Sequence, residues 1–188
     1  MRVIAGAQRG RRLMGPKGPG LRPTSDRVKE ALFSILNPRL AGARVLDLYA
    51  GTGAIGIEAL SRGARHATFV EPHASSLRVL RANLELCGLS TQATIHPCTA
   101  EAFFKRRTAA EPAYDIIFAD PPYDDEGASA LLSVFSQHTS LQPTATLVLE
   151  HGSKTEPVVD GLALIRRYRY GDTTLSLFRP RQEESLAP

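Results

Sequence analysis

The stretch Arg44–Gly56, RVLDLYAGTGAIG, most constrains what this chain can fold into. Its apolar start, Arg44 to Tyr49, reads as a buried strand. Gly51, Gly53 and Gly56 then form G-x-G-x-x-G, and Ile57 to Arg62 reads as a helix. A strand–glycine turn–helix unit of this kind belongs to parallel α/β sheets, whose ligands bind beyond the carboxyl ends of the strands. The glycines permit a tight turn and a close approach of backbone to ligand. By themselves they suit a dinucleotide and an adenosyl ligand equally. Asp47 sharpens the reading, because an acid there repels a pyrophosphate and can pair with an amino group. Tyr49 and Thr52 fall in the same turn and count with it as cofactor-binding positions.

The rest of the chain repeats the alternation. Val28, Leu32, Ile35 and Leu36 stand at helical spacing, in a helix entered through Arg22 to Asp26, with Thr24, Ser25 and Asp26 as cap residues, and stopped by Asn37-Pro38. Arg22 and Thr24 fall in the turn before that helix, which can hold a carboxylate. His66 to Glu71 is a second strand ending in an acid. Glu71 follows Gly53 by 18 residues, near the spacing at which a carboxylate grips ribose hydroxyls; Pro72 adjoins it. Leu77, Leu80 and Leu84 mark a helix ending at Gly88. Ala93 to Pro97 is a short third strand, and Thr99-Ala100-Glu101 occupies the loop position that flanks an adenine. Leu131, Leu132 and Phe135 suggest a helix, and Thr144 to Glu150 another strand. Leu162 to Tyr170 and Thr173 to Phe178 flank Gly171-Asp172, a two-residue hairpin signal. The expected fold is a three-layer α/β sheet with right-handed crossovers, closed by an antiparallel hairpin.

The stretch YDIIFADPPY, Tyr114 to Tyr123, carries the chemistry. Its apolar run drives into Asp120-Pro121-Pro122-Tyr123, and the prolines end the strand. A carboxylate, a stiff exposed carbonyl and an aromatic face therefore meet at a sheet edge. Asp120 and the Pro121 carbonyl accept hydrogen bonds and Tyr123 stacks, a kit suited to a planar base with an exocyclic amine.

Charge is uneven. Residues 1–44 hold ten Lys/Arg and two acids, while the remainder is acidic, within a net charge of +4. That pattern predicts a basic arm on a mildly acidic body; the arm is expected over residues 1–21 and the catalytic core over residues 22–180. Val3-Ile4 and Arg11 to Leu13 are expected to pair as a hairpin, and Arg9, Arg11, Arg12 and Arg22 to meet RNA phosphates. A solvated flexible tail is the alternative. Two cysteines without C-x-x-C spacing and five scattered histidines indicate no disulfide framework and no metal site. Met1 to Leu13 does not read as a signal peptide, and a single cytoplasmic domain of 1–188 is expected.

These motifs together resemble class I S-adenosylmethionine-dependent methyltransferases, whose sheet has seven strands with the last antiparallel. More narrowly, RVIAGAQRGRRL at the start, RPTSDRVKEALF at 22–33 and the late YGDTTLSL resemble the RsmD family, over about residues 2–179. The resemblance implies a bacterial enzyme that methylates guanine N2 of 16S rRNA, acting on RNA or a partly assembled small subunit, as a monomer without metal. It implies that Asp47, Gly51 and Gly53 surround the methionine half of S-adenosylmethionine, with Thr24 near its carboxylate. Glu71 would hold the ribose, and Ala100 with Glu101 would border the adenine. D-P-P-Y is shared with DNA adenine-N6 methyltransferases, the alternative reading, but those usually carry a separate target-recognition region.

Overall fold

Among the described residues seven segments form strands, the apolar ones buried inside the sheet and the more polar Ala93–His96 and Leu162–Tyr170 at its two edges. The computed structural model describes residues 1–15, 26–108, 110–121, 141–154, 156–157 and 161–181. The expected helix around Leu131 to Phe135 lies outside them. In chain order the elements are α1 (Asp26–Leu36), β1 (Arg44–Leu48), α2 (Ala54–Ser61), β2 (His66–Val70), α3 (Ala74–Cys87), β3 (Ala93–His96), α4 (Ala100–Arg106), β4 (Tyr114–Ala119), β5 (Leu141–Gly152), β6 (Leu162–Tyr170) and β7 (Thr173–Pro180). They build one sheet in the order β3-β2-β1-β4-β5-β7-β6. β1 to β5 pair parallel, and β7 pairs antiparallel with both β5 and β6, so that β7 alone of these seven runs against the rest.

Strand alternation divides the core between the two faces. Val45, Phe118, Val148 and Leu175 face one side and pack with α1, α2, α3 and the N-terminal segment. Leu46, Leu48, Ile117 and Leu149 face the other side and pack with Phe103 and Phe104 of α4. Among the described residues, no helix is long and apolar enough to cross a membrane.

The N-terminal hairpin forms, and the tail alternative fails. Arg2 and Arg12 bridge antiparallel, and Val3 and Leu13 are buried. Glu58, fully buried in α2, accepts from the Ile4 and Ala5 N–H groups at 2.8 and 3.0 Å. It also pairs with Lys29 at 3.5 Å and Arg62 at 2.8 Å, so this buried carboxylate has a partner on every side. Gly6 lies so close to the Ser61 carbonyl that an added Cβ would clash with it. The basic segment is therefore a strap fastened to α2.

Candidate active site at the carboxyl edge of the sheet

The register brings the site together. Val70, Leu48, Ala119 and Leu149 stand level across β2, β1, β4 and β5. The residues that follow them, Glu71, Tyr49, Asp120 and Glu150, therefore line the carboxyl edge side by side. Tyr49 turns the chain out of β1 with φ 61°, a strained value for an aromatic residue and the only positive φ among described non-glycine residues.

The three glycines have three different causes. Gly56 lies under the Phe69 ring, where a Cβ would approach to 2.2 Å, so it sets how closely α2 packs on the sheet. Gly53 caps α2 with φ 81°. Gly51 has φ 54°, yet a Cβ there would meet nothing closer than the Tyr49 carbonyl at 3.9 Å. The space over Gly51 is thus open, as a ligand cradle requires.

Asp47 is 2 % exposed, and one of its oxygens accepts the Gly56 N–H at 2.9 Å. Burial pushes its carboxyl up to about 7; the Gly56 hydrogen bond pulls the other way, and the charges of Asp120 and Glu71 add to the rise. Glu71 is also buried. It accepts from the Gly51 N–H at 2.9 Å and the His73 N–H at 2.8 Å, and its Oε1 meets His73 Nδ1 at 2.9 Å. Both acids thus hold the glycine turn as well as facing the edge, a task the sequence spacing did not reveal. Asn83 holds it from behind. This buried α3 side chain donates to the Thr52 carbonyl at 3.0 Å and exchanges hydrogen bonds with Met14 of the strap. Nothing in its helical spacing marks it as more than a polar residue on α3.

Thr99 caps α4 by accepting the Ala102 N–H at 3.3 Å, which sets buried Ala100 and half-buried Glu101 at the start of a helix and not in an open loop. Asp120 is half-buried, and burial pushes its carboxyl up to about 6; Pro121 is buried. Pro72 is exposed beside Glu71. Arg22, Thr24, Pro122 and Tyr123 lie outside the described residues.

The basic residues divide between the two edges. Ala7 N–H and Gln8 N–H bond to Ser61 at the end of α2, and Arg11 donates to the Leu86 carbonyl near the end of α3. Those helix ends are level with the amino ends of the strands, so exposed Arg9, Arg11 and Arg12 sit on the far side from Asp120. A second basic group, which the charge count did not locate, is at the carboxyl edge. Tyr168 is level with Glu150 through Leu175, and Arg169 is level with His151 through Thr174. Arg166 lies over the Tyr168 ring at 5.5 Å, Arg167 pairs with Glu156 at 2.9 Å, and Lys154 is exposed in the turn after β5.

An edge lined by Asp47, Glu71 and Asp120 opposes a pyrophosphate and suits a cofactor with ammonium and sulfonium charges. Together with a 3-2-1-4-5-7-6 sheet and an antiparallel β7, it defines a class I methyltransferase, a class that takes its methyl group from S-adenosylmethionine. A family model described as conserved hypothetical protein 95 matches residues 1–179. The chain belongs to that family, which is the RsmD family. The Bacillus subtilis protein YlbH is 36% identical over 183 residues, 96% of this chain and 100% of that protein. A Haemophilus influenzae protein named ribosomal RNA small subunit methyltransferase D is 35% identical over 159 residues, 85% of this chain and 82% of that protein. The solved structure of Escherichia coli yhhF overlays with a TM-score of 0.84 at 32% identity, covering 97% of this chain and 99% of that one.

Proposed function

We propose that this protein transfers a methyl group from S-adenosylmethionine to the exocyclic N2 amine of a guanine in small-subunit ribosomal RNA. The observation that carries the reading is Asp120. It is an acceptor at the carboxyl edge, level with Glu71 across the sheet, and buried Pro121 follows it directly. The relatives named for small-subunit rRNA support RNA over DNA as the substrate.

S-adenosylmethionine supplies a methyl already activated on a sulfonium, so the protein's work is alignment. Asp47, Gly51 and Gly53 hold the methionine half, with Thr24 and Thr52 beside them, and Glu71 takes the ribose. Ala100 and Glu101 border the adenine. The amine nitrogen of guanine is a poor nucleophile because its lone pair is delocalised into the ring. Asp120 and the Pro121 carbonyl accept its two hydrogens and localise that lone pair. With its carboxyl pushed up to about 6, Asp120 is still mainly ionised at pH 7 and takes up the released proton more readily than an ordinary carboxylate. Tyr123 stacks on the base, worth about 1–3 kcal/mol. The base must leave its stack, which favours a loop or a partly assembled subunit over a perfect helix.

The strand around the target runs over Lys154, Arg167 and Arg169 at the catalytic edge, while Arg9, Arg11, Arg12 and Arg22 serve more distant phosphates. The protein works in the cytoplasm, as a monomer and without metal. Asp120→Asn tests the reading: it keeps size but replaces one acceptor with a donor. Turnover should fall at least 100-fold with cofactor affinity within about twofold, and full activity in that variant would overturn the role given to Asp120.

A further inference from the structure

Glu150 stands beside Asp120 at the carboxyl edge, and its environment is unusual. It ends the run TATLVLE on β5 and is 5 % exposed. Its Oε2 is buried and has no hydrogen-bond partner among the described residues. A buried carboxyl oxygen without a partner costs stability, so its position calls for a partner that the fold itself does not supply.

The register supplies the location. Ala119 pairs with Leu149, so Asp120 and Glu150 are the next residues along neighbouring parallel strands. Phe118 and Val148, two residues back, both face the core shared with α1 and α2. Continuing the alternation puts the Asp120 and Glu150 side chains on that same face, about 4.8 Å apart in strand spacing. On the next strand, β7, Glu150 meets apolar Leu175, so its charged neighbour across the sheet is Asp120.

We propose that Glu150 is a second recognition group for the target base, donating a hydrogen bond to the guanine carbonyl oxygen while Asp120 accepts from the amine. The inference rests on the proposed reaction at Asp120 and deepens it. Guanine presents a carbonyl acceptor, a ring N–H donor and the amine donor in a row, a span comparable to one strand spacing. Asp120 and Glu150 match the two ends if one carboxyl is ionised and the other is not. Burial raises both carboxyls, and Glu150, only 5 % exposed where Asp120 is half-buried, also has the Asp120 charge adding to its rise. At neutral pH Asp120 is therefore the acceptor and protonated Glu150 the donor. Adenine with its amine at Asp120 would turn a C–H toward Glu150 and leave it unpaired. A site built around a hydrogen bond rejects a substrate that lacks the matching group far better than an apolar pocket can. The D-P-P-Y acceptors alone make no such distinction between guanine and adenine.

The test compares Glu150→Gln and Glu150→Leu with the wild type. Initial methylation rates are measured on 16S rRNA and on small subunits, both from cells lacking the gene. Gln keeps an N–H donor and should stay within about fivefold of wild-type kcat/KM. Leu keeps bulk without a donor and should fall at least 100-fold, with S-adenosylmethionine affinity within about twofold in both variants. A merely structural role would instead lower cofactor affinity and harm Gln and Leu alike. Unchanged activity in Leu, or equal loss in Gln and Leu, would overturn the proposal while leaving Asp120 its role. If the wild type itself forms N6-methyladenosine and no N2-methylguanosine on either substrate, both the base assignment and this proposal fail.

Discussion

Replacing Asp47 with Asn should make the empty protein more stable and the enzyme worse. Asp47 is 2 % exposed, and its carboxyl is raised from the ordinary 3.8 to about 7. Its folded value lies above its unfolded one. Its contribution to stability is therefore full below about pH 4 and is lost as pH rises through 7. A rise of about three units, at roughly 1.4 kcal/mol each, corresponds to at most on the order of 4 kcal/mol opposing the ionised fold at pH 8. Asn carries no charge to desolvate and still offers an oxygen to the Gly56 N–H, although a neutral acceptor gives up about 1 kcal/mol of that bond. The net gain at pH 8 is then about 2–3 kcal/mol, which shifts a urea midpoint by about 1–2 M. At pH 4 the two proteins should differ little. The chain has no tryptophan, so circular dichroism is the natural probe for the urea titrations at pH 4 and pH 8. Calorimetry should show S-adenosylmethionine binding weakened at least tenfold, because the acid proposed to face the cofactor's methionine half is gone. A variant less stable than wild type at pH 8, or a stability difference that does not change with pH, would refute the reasoning.

Two further outcomes test the surroundings of the site. Glu58→Ala removes the carboxylate that pairs with buried Lys29 and leaves two strap amides without their acceptor, and should cost about 3–5 kcal/mol in urea unfolding. Hydrogen exchange should show the Ile4 and Ala5 amides losing protection; a cost below 1 kcal/mol with those amides still protected would mean that the strap is held by other contacts. Arg167→Ala with Arg169→Ala should weaken RNA binding and lower its log–log salt slope by about one to two, with cofactor affinity unchanged. If only the Arg9→Ala, Arg12→Ala pair has that effect, RNA approaches from the opposite edge.

The order of the strands, and of α1, α2 and α3, was legible because each carries its own period, whereas α4 was read as a loop. The Arg44–Leu48 run, the glycine turn and the Gly171-Asp172 hairpin all stand where local chemistry puts them. Asp47 and Glu71 were legible as acids at strand ends. Their hydrogen bonds to Gly56 and Gly51 were not, because those amides are aimed by the packing of α2 on the sheet. Glu150 was invisible as a site residue: only the β4–β5 register sets it beside Asp120. Glu58 did leave a signal, a lone charge within the apolar helix AIGIEALS, and Val3 with Leu13 left another in the basic strap. Charge counting located an excess in residues 1–44 but could not say which edge of the sheet it faces. That depends on Arg11 reaching Leu86 after the strap folds back.

The most direct measurement is nucleoside mass spectrometry of small-subunit rRNA from cells lacking this protein, and from the same cells with wild-type or Asp120→Asn protein restored. One N2-methylguanosine should disappear on deletion, return with the wild type and stay absent with Asp120→Asn. An unchanged N2-methylguanosine content, with N6-methyladenosine changing in its place, would contradict the account.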